Sequence, residues 1–195
     1  MVLAPRRAIH RRRWVRRHEE ISRTDRAVLV NTIIPAVREE ADGADVLFVG
    51  VQWYTADYAS MFPGDSLVTI DLDPALAPHG GRRHVVGDVL ELSRHFERGQ
   101  FAAVICNGVL GFGVDARADV HRALEEIATC VRSGGVLVVG WNDTDELHPD
   151  DLDGAATRAG MVSTPGAGLA SWRNGPYGAL RHTYDVYRRP SVPEL

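Results

Sequence analysis

Apolar residues change their spacing twice along the chain, and the changes mark out its elements. From Thr24 they recur every four positions, at Leu29, Ile33 and Val37, which predicts a helix with one core-facing stripe. Ser22 or Thr24 can cap its start, and Pro35 should kink or break it, because proline lacks the N–H that a helix interior needs. Beyond Asp42-Gly43 short β-rich runs alternate with other stretches. The runs at 45–50 (DVLFVG), 66–71 (SLVTID), 84–86, 101–107 (FAAVICN) and 136–141 (VLVVGW) are nearly continuous in apolar residues, as expected of strands covered on both faces. Helices are expected between them. The clearest spans 115–132, where Val120, Leu124, Ile127 and Val131 share a face, Asp115 can cap the start and Gly134-Gly135 can end it. Residues 149–159 predict one more helix, 179–189 a last strand, and the Gly/Pro-rich stretch 164–177 an irregular strand with a loop, paired antiparallel at the edge.

This order predicts an α/β fold: a doubly wound, mostly parallel sheet with an antiparallel C-terminal edge strand and N-terminal helices. Residues 1–41 read as a helical arm or lid and 42–195 as the α/β domain, in one compact unit. The 195 residues, 45% of them hydrophobic and 25% charged, suffice for one core and disfavour disordered, collagenous and coiled-coil classes. No apolar run is long enough for a membrane-spanning helix, and arginines interrupt the N-terminus where a signal peptide would be apolar, so a cytoplasmic location is expected. Cys106 and Cys130 lack metal-site spacing and read as buried thiols. The net charge of −4 is uneven: residues 1–20 hold seven arginines against Glu19 and Glu20. That segment could attract phosphate, in nucleic acid or in a substrate, or could simply be a solvated helix against an acidic body.

In an open parallel sheet a ligand sits beyond the carboxyl ends of the strands. The residues there are Gly50, then Asp71 with Asp73, Asp88, Asn107, and Trp141-Asn142-Asp143. An acid closing the second strand, about 20 positions after the glycine closing the first, suits the two hydroxyls of a ribose. No G-x-G-x-x-G follows the first strand, which argues against a dinucleotide and its pyrophosphate.

These residues resemble class I S-adenosylmethionine-dependent methyltransferases, a Rossmann-like family, across roughly 44–189. DVLFVG at 45–50 resembles the first strand and its glycine, and VTIDLDP at 68–74 the second strand with its ribose-binding acid, Asp71. VVGDVLEL at 85–92 is similar to the adenine-side motif, with Asp88, and LEEIATCVRSGGVLVVGWND to the late helix, Gly-Gly turn and strand. The resemblance implies S-adenosylmethionine as cofactor, held by Gly50, Asp71, Leu72, Asp88, Val89 and Asn107. One departure stands out: the first loop keeps only Gly50, and Gln52, Tyr54 and Thr55 offer side chains where the family offers glycine backbone.

The activity so implied is methyl transfer to an oxygen or nitrogen of a small molecule. The rivals are a nucleic-acid methyltransferase recruited by the arginine-rich N-terminus, and a relative that keeps the fold without the transfer. The turn Asn107–Gly113 is not of the Asn-Pro-Pro-Tyr type, which makes a nucleic-acid base the lesser candidate. Transfer from a sulfonium needs chiefly alignment, with a base optional. His148 and Asp143 are the catalytic candidates, with His182 an alternative in the last strand. The carboxylates Asp143, Asp145, Glu146, Asp150 and Asp151 leave metal assistance open, although an acidic helix start explains them as well and no metal is expected. A homodimer is an open option, and no membrane partner is expected.

Overall fold

A computed structural model describes residues 23–191, and the arginine-rich arm and the Ser22 cap lie outside them. Helix α1 (Arg23–Val28) passes through a π-helical turn, Leu29–Ile33, into α2 (Ile34–Ala41). The expected break at Pro35 takes this form. Ile34 N–H bonds the Leu29 carbonyl five residues back, so the ladder has already widened where proline brings no donor. Leu29, Ile33, Ile34, Val37 and Ala41 are buried against the sheet, and Asp42 ends α2 in a left-handed conformation. Residues 23–41 therefore cover one face of the sheet.

The sheet comprises β1 (Val46–Val49), β2 (Leu67–Asp71), β3 (His84–Val86), β4 (Phe101–Asn107), β5 (Val131–Asn142), β6 (Val162–Ser163), β7 (Arg173–Tyr177) and β8 (His182–Arg188). Its order is β3-β2-β1-β4-β5-β8-β6, with β7 also on β8. Strands β1 to β5 are parallel, and β8 runs antiparallel to β5, β6 and β7. The expected fold class is the one observed.

Helices α3 (Arg117–Cys130) and α4 (Leu152–Arg158) cover the second face. The expected helices on the first two crossovers are absent. Segments Trp53–Thr55, Tyr58–Met61, Pro63–Asp65 and Pro74–His79 are 3₁₀ turns. Their prolines and short spans prevent a propagating α-helix. Asp115 is not the cap of α3: Ala116 holds that place and Asp115 accepts the Gly113 N–H at 3.0 Å. Nor do Gly134-Gly135 end α3, because the chain enters β5 directly at Val131 and the pair sits in the irregular start of that strand.

Candidate functional site

The strand register brings the C-terminal tips together. Val49 lies opposite Ile70 on one side and Cys106 on the other, so Gly50 falls between Asp71 and Asn107. This is where the strand order reverses, with β2 and β3 to one side of β1 and β4 onward to the other. Gly50 has φ +94°, and a Cβ there would stand 2.6 Å from Val109 Cγ2 and 2.8 Å from the Asn107 carbonyl oxygen. Only glycine fits, which is why this one glycine remains in a glycine-poor loop.

Asp71 is fixed by its neighbours' backbone. Its Oδ2 accepts the Val51 N–H and its Oδ1 the Asp73 N–H, each at 2.8 Å. Each oxygen keeps a lone pair, so the carboxylate can still accept two hydroxyls. Asp88 caps the 3₁₀ segment Val89–Arg94, with Oδ1 accepting the Leu90 N–H at 3.0 Å. Val89 packs into the core, so it can offer a ligand only its backbone. Leu72 is 50% exposed and Val86, paired across from Asp71, 46% exposed. Together with Trp53, they place three of the four large exposed hydrophobic side chains among the described residues at this edge.

The loop after β1 closes on itself. Gln52 N–H donates to Thr55 Oγ1 at 3.1 Å, and that hydroxyl donates to the Gln52 carbonyl at 2.8 Å. Tyr54 lies under Arg26 of α1, with the guanidinium carbon 4.4 Å from its ring centroid, and Trp53 stands edge-on to Tyr54. Trp53 is 59% exposed, so its ring projects outward.

Alternation along the strands sorts the remaining candidates onto two faces. Trp141 belongs to the face under α3 and α4 and is buried there, its Nε1 donating to Asp185 Oδ2 at 2.9 Å. His148 meets it edge-on at 4.6 Å, half-exposed, with Nδ1 3.6 Å from Asp143 Oδ1. The Arg181 guanidinium, 2.8 Å from Oδ2, holds the Asp143 carboxyl below its ordinary range, which makes it a weak proton acceptor. Gly111 explains part of the glycine-rich turn after β4: at φ +84° a Cβ there would run into the Leu147 carbonyl. Among the described residues no group of three His, Cys, Asp or Glu side chains could hold a metal ion, and Asp151 instead receives Arg117, His121 and Arg158.

On the other face lies a cluster that the sequence reading touched only through its separate members. The His182 ring sits between two amides: Nε2 is 3.0 Å from Asn107 Oδ1 and Nδ1 is 2.6 Å from Asn142 Oδ1. Asn142 pairs with His182 across β5 and β8, and Asn107 with Gly140 across β4 and β5. A Cβ at Gly140 would strike both Asn107 Oδ1 and His182 Nε2. Burial pushes the His182 pKa down to about 4. The signal available in the sequence was positional: polar residues closing two adjacent apolar strands and opening the last.

Comparison with known proteins bears on the fold that carries this site. Residues 48–139 match the family described as a methyltransferase domain. The fold is similar to that of the N-methyltransferase NodS from Bradyrhizobium japonicum WM9, at 15% identity over 86% of this chain and 99% of that one, TM-score 0.62. It is similar to a TehB-like SAM-dependent methyltransferase from Corynebacterium glutamicum, at 18% identity over 93% and 99%, TM-score 0.59. The 1,6-didemethyltoxoflavin-N1-methyltransferase of Burkholderia thailandensis, solved with that substrate and S-adenosylhomocysteine, matches at 16% identity over 94% and 88%, TM-score 0.57. No curated protein matches. The match over 48–139 and the shared fold agree with the class I methyltransferase resemblance of the strand motifs. Among the described residues no helix is long and apolar enough to cross a membrane.

Proposed function

We propose that the protein transfers the methyl group of S-adenosylmethionine to an oxygen or nitrogen of a small-molecule acceptor. The observation that carries this reading is the strand-tip arrangement: Asp71, braced by two backbone N–H groups, beside Gly50 and the exposed apolar Leu72 and Val86. A ribose diol suits the carboxylate and a planar base suits the apolar edge. Asp88 offers a carboxylate oxygen beside that edge, and Gln52 and Tyr54 border the amino-acid end in place of loop glycines. The small-molecule reading draws on neighbours of the same fold whose substrates are small, such as 1,6-didemethyltoxoflavin.

The bound cofactor supplies an electrophilic methyl on a sulfonium, and the protein's part is to align an acceptor and keep water out. Asn107, at the tip of β4 beside Gly50, borders the place where acceptor and cofactor would meet. His148, packed edge-on against Trp141 with its Nδ1 3.6 Å from Asp143 Oδ1, lies on the face under α3 and α4, so this reading gives neither residue a part beside Asn107.

Calorimetric titration with S-adenosylmethionine and S-adenosylhomocysteine tests the reading. Both should bind, and Asp71→Ala should weaken both at least tenfold, since each bond to a charged group contributes about 1.5–3 kcal/mol. An Asp71→Ala protein that binds as tightly as the parent would remove the carboxylate from the site.

A further inference from the structure

We infer that His182 is a positioning residue: held through Nδ1 by Asn142, it turns the Asn107 amide so that its NH2 faces the ring and its carbonyl oxygen faces the crevice, ready for an acceptor that carries N–H or O–H. The inference rests on the methyl-transfer reading and narrows the acceptor to a hydrogen-bond donor.

The argument begins with proton counting. A neutral imidazole has one N–H and one lone pair, yet an amide faces each of its nitrogens. The two amides must therefore present opposite ends to it. The 2.6 Å contact to Asn142 is short for a nitrogen pair and suits an N–H donating to oxygen, so the proton belongs on Nδ1. Nε2 is then an acceptor, 3.0 Å from the Asn107 amide, and a half-turn of that amide gives it an N–H. The opposite end of Asn107, its carbonyl, is left for the crevice.

The site is built to hold this arrangement. His182 and Asn142 are buried, with 6% and 3% of their surface exposed. Tyr184 packs edge-on to the ring at 4.7 Å. Gly140 leaves the space the amide occupies, and Asn107 itself is partly exposed at the strand tip. Asp71, Gly50 and Asn107 share this face, so the oriented oxygen lies on the side where the ribose carboxylate stands.

The test needs no knowledge of the natural acceptor. An adenosylhomocysteine analogue bearing a primary ammonium where the transferable methyl would be places N–H donors at the transfer position. Its affinity relative to S-adenosylhomocysteine then reads the group facing that position. In the parent protein the analogue should bind more tightly than S-adenosylhomocysteine. His182→Phe should cut that preference about tenfold while S-adenosylhomocysteine affinity stays within twofold, and His182→Gln, which can still donate and accept, should restore it. An unchanged preference in His182→Phe overturns the inference and leaves the methyl-transfer reading intact. Failure of the parent protein to bind S-adenosylhomocysteine overturns that reading and the inference with it. Should His182→Phe fail to fold, the ring ¹⁵N spectrum of the unmodified protein at pH 7 decides: a protonated Nδ1 and bare Nε2 support the inference, and the opposite tautomer overturns it.

Discussion

At the scale of single residues, the candidate site depends on positions whose freedom has been removed. Gly50 is the sharpest case. In Gly50→Ala the new methyl must sit at φ +94° against Val109 and the Asn107 carbonyl. Strain of this kind costs about 1–3 kcal/mol. We expect a lower melting temperature and at least tenfold weaker S-adenosylmethionine binding, read by thermal denaturation and calorimetry, whereas an unaltered protein would show that the tip has slack. His182 makes a separate prediction about acid. Burial holds its pKa at about 4 in the folded chain against an ordinary 6.5, so on acidification the unfolded chain takes up a proton first. The contribution of the neutral ring is complete above pH 6.5, is lost as pH falls from there to about 4, and is constant below. The loss approaches roughly 3 kcal/mol. Burial also lowers the pKa of His84, against the opposing charge of Asp71, and this adds in the same direction. Urea midpoints measured across that window should fall less steeply for His182→Gln than for the parent, and parallel curves would contradict this account.

At the scale of elements, legibility followed periodicity. The parallel strands and α3 stood out because continuous apolar runs and a four-residue stripe are local properties of the chain. The crossovers after β1 and β2 were not legible as turns, since an alternating order of strands suggests helices and only the lack of any helical stripe in 51–65 argued otherwise. Asp71 was legible as a candidate because it ends a strand. The His182 cluster was not, because its members lie 35 and 40 or more residues apart and meet only through the pairings of β4, β5 and β8. The stripe Leu29, Ile33 and Val37 announced a packed helix, yet its partner surface on Val46, Phe48, Ala103 and Ile105 was set by the sheet. Because Ile33 is fully buried there, Ile33→Ala should cost about 2–5 kcal/mol in chemical denaturation. A loss below 1 kcal/mol would mean that α1 and α2 rest on the sheet without supporting it.

At the scale of the whole molecule, the question is what keeps the antiparallel edge aligned with a parallel sheet whose tips form the site. The fastening is Asp185 on β8, with no exposed surface, which accepts Arg173 Nε at 2.7 Å and Nη2 at 2.8 Å from β7, and Trp141 Nε1 at 2.9 Å from β5. The Asp185 hydrogen bonds raise the pKa of Arg173, whose guanidinium also stacks 4.3 Å over Trp172. One carboxylate thus joins three strands, two residues beyond Thr183 and three from His182. Arg173→Met would leave that carboxylate buried with the indole as its remaining donor among these partners. Breaking a buried pair from one side costs about 3–5 kcal/mol, and the 40% exposure of the Arg173 side chain places this case at the lower end. Adding Asp185→Leu to Arg173→Met removes the stranded charge and should recover much of the loss, because an apolar pair in the same space pays no desolvation. Denaturation of the two single variants and the double variant forms a cycle. A large positive coupling is expected, and strictly additive losses would show that β7 is held to the sheet by its backbone pairing alone.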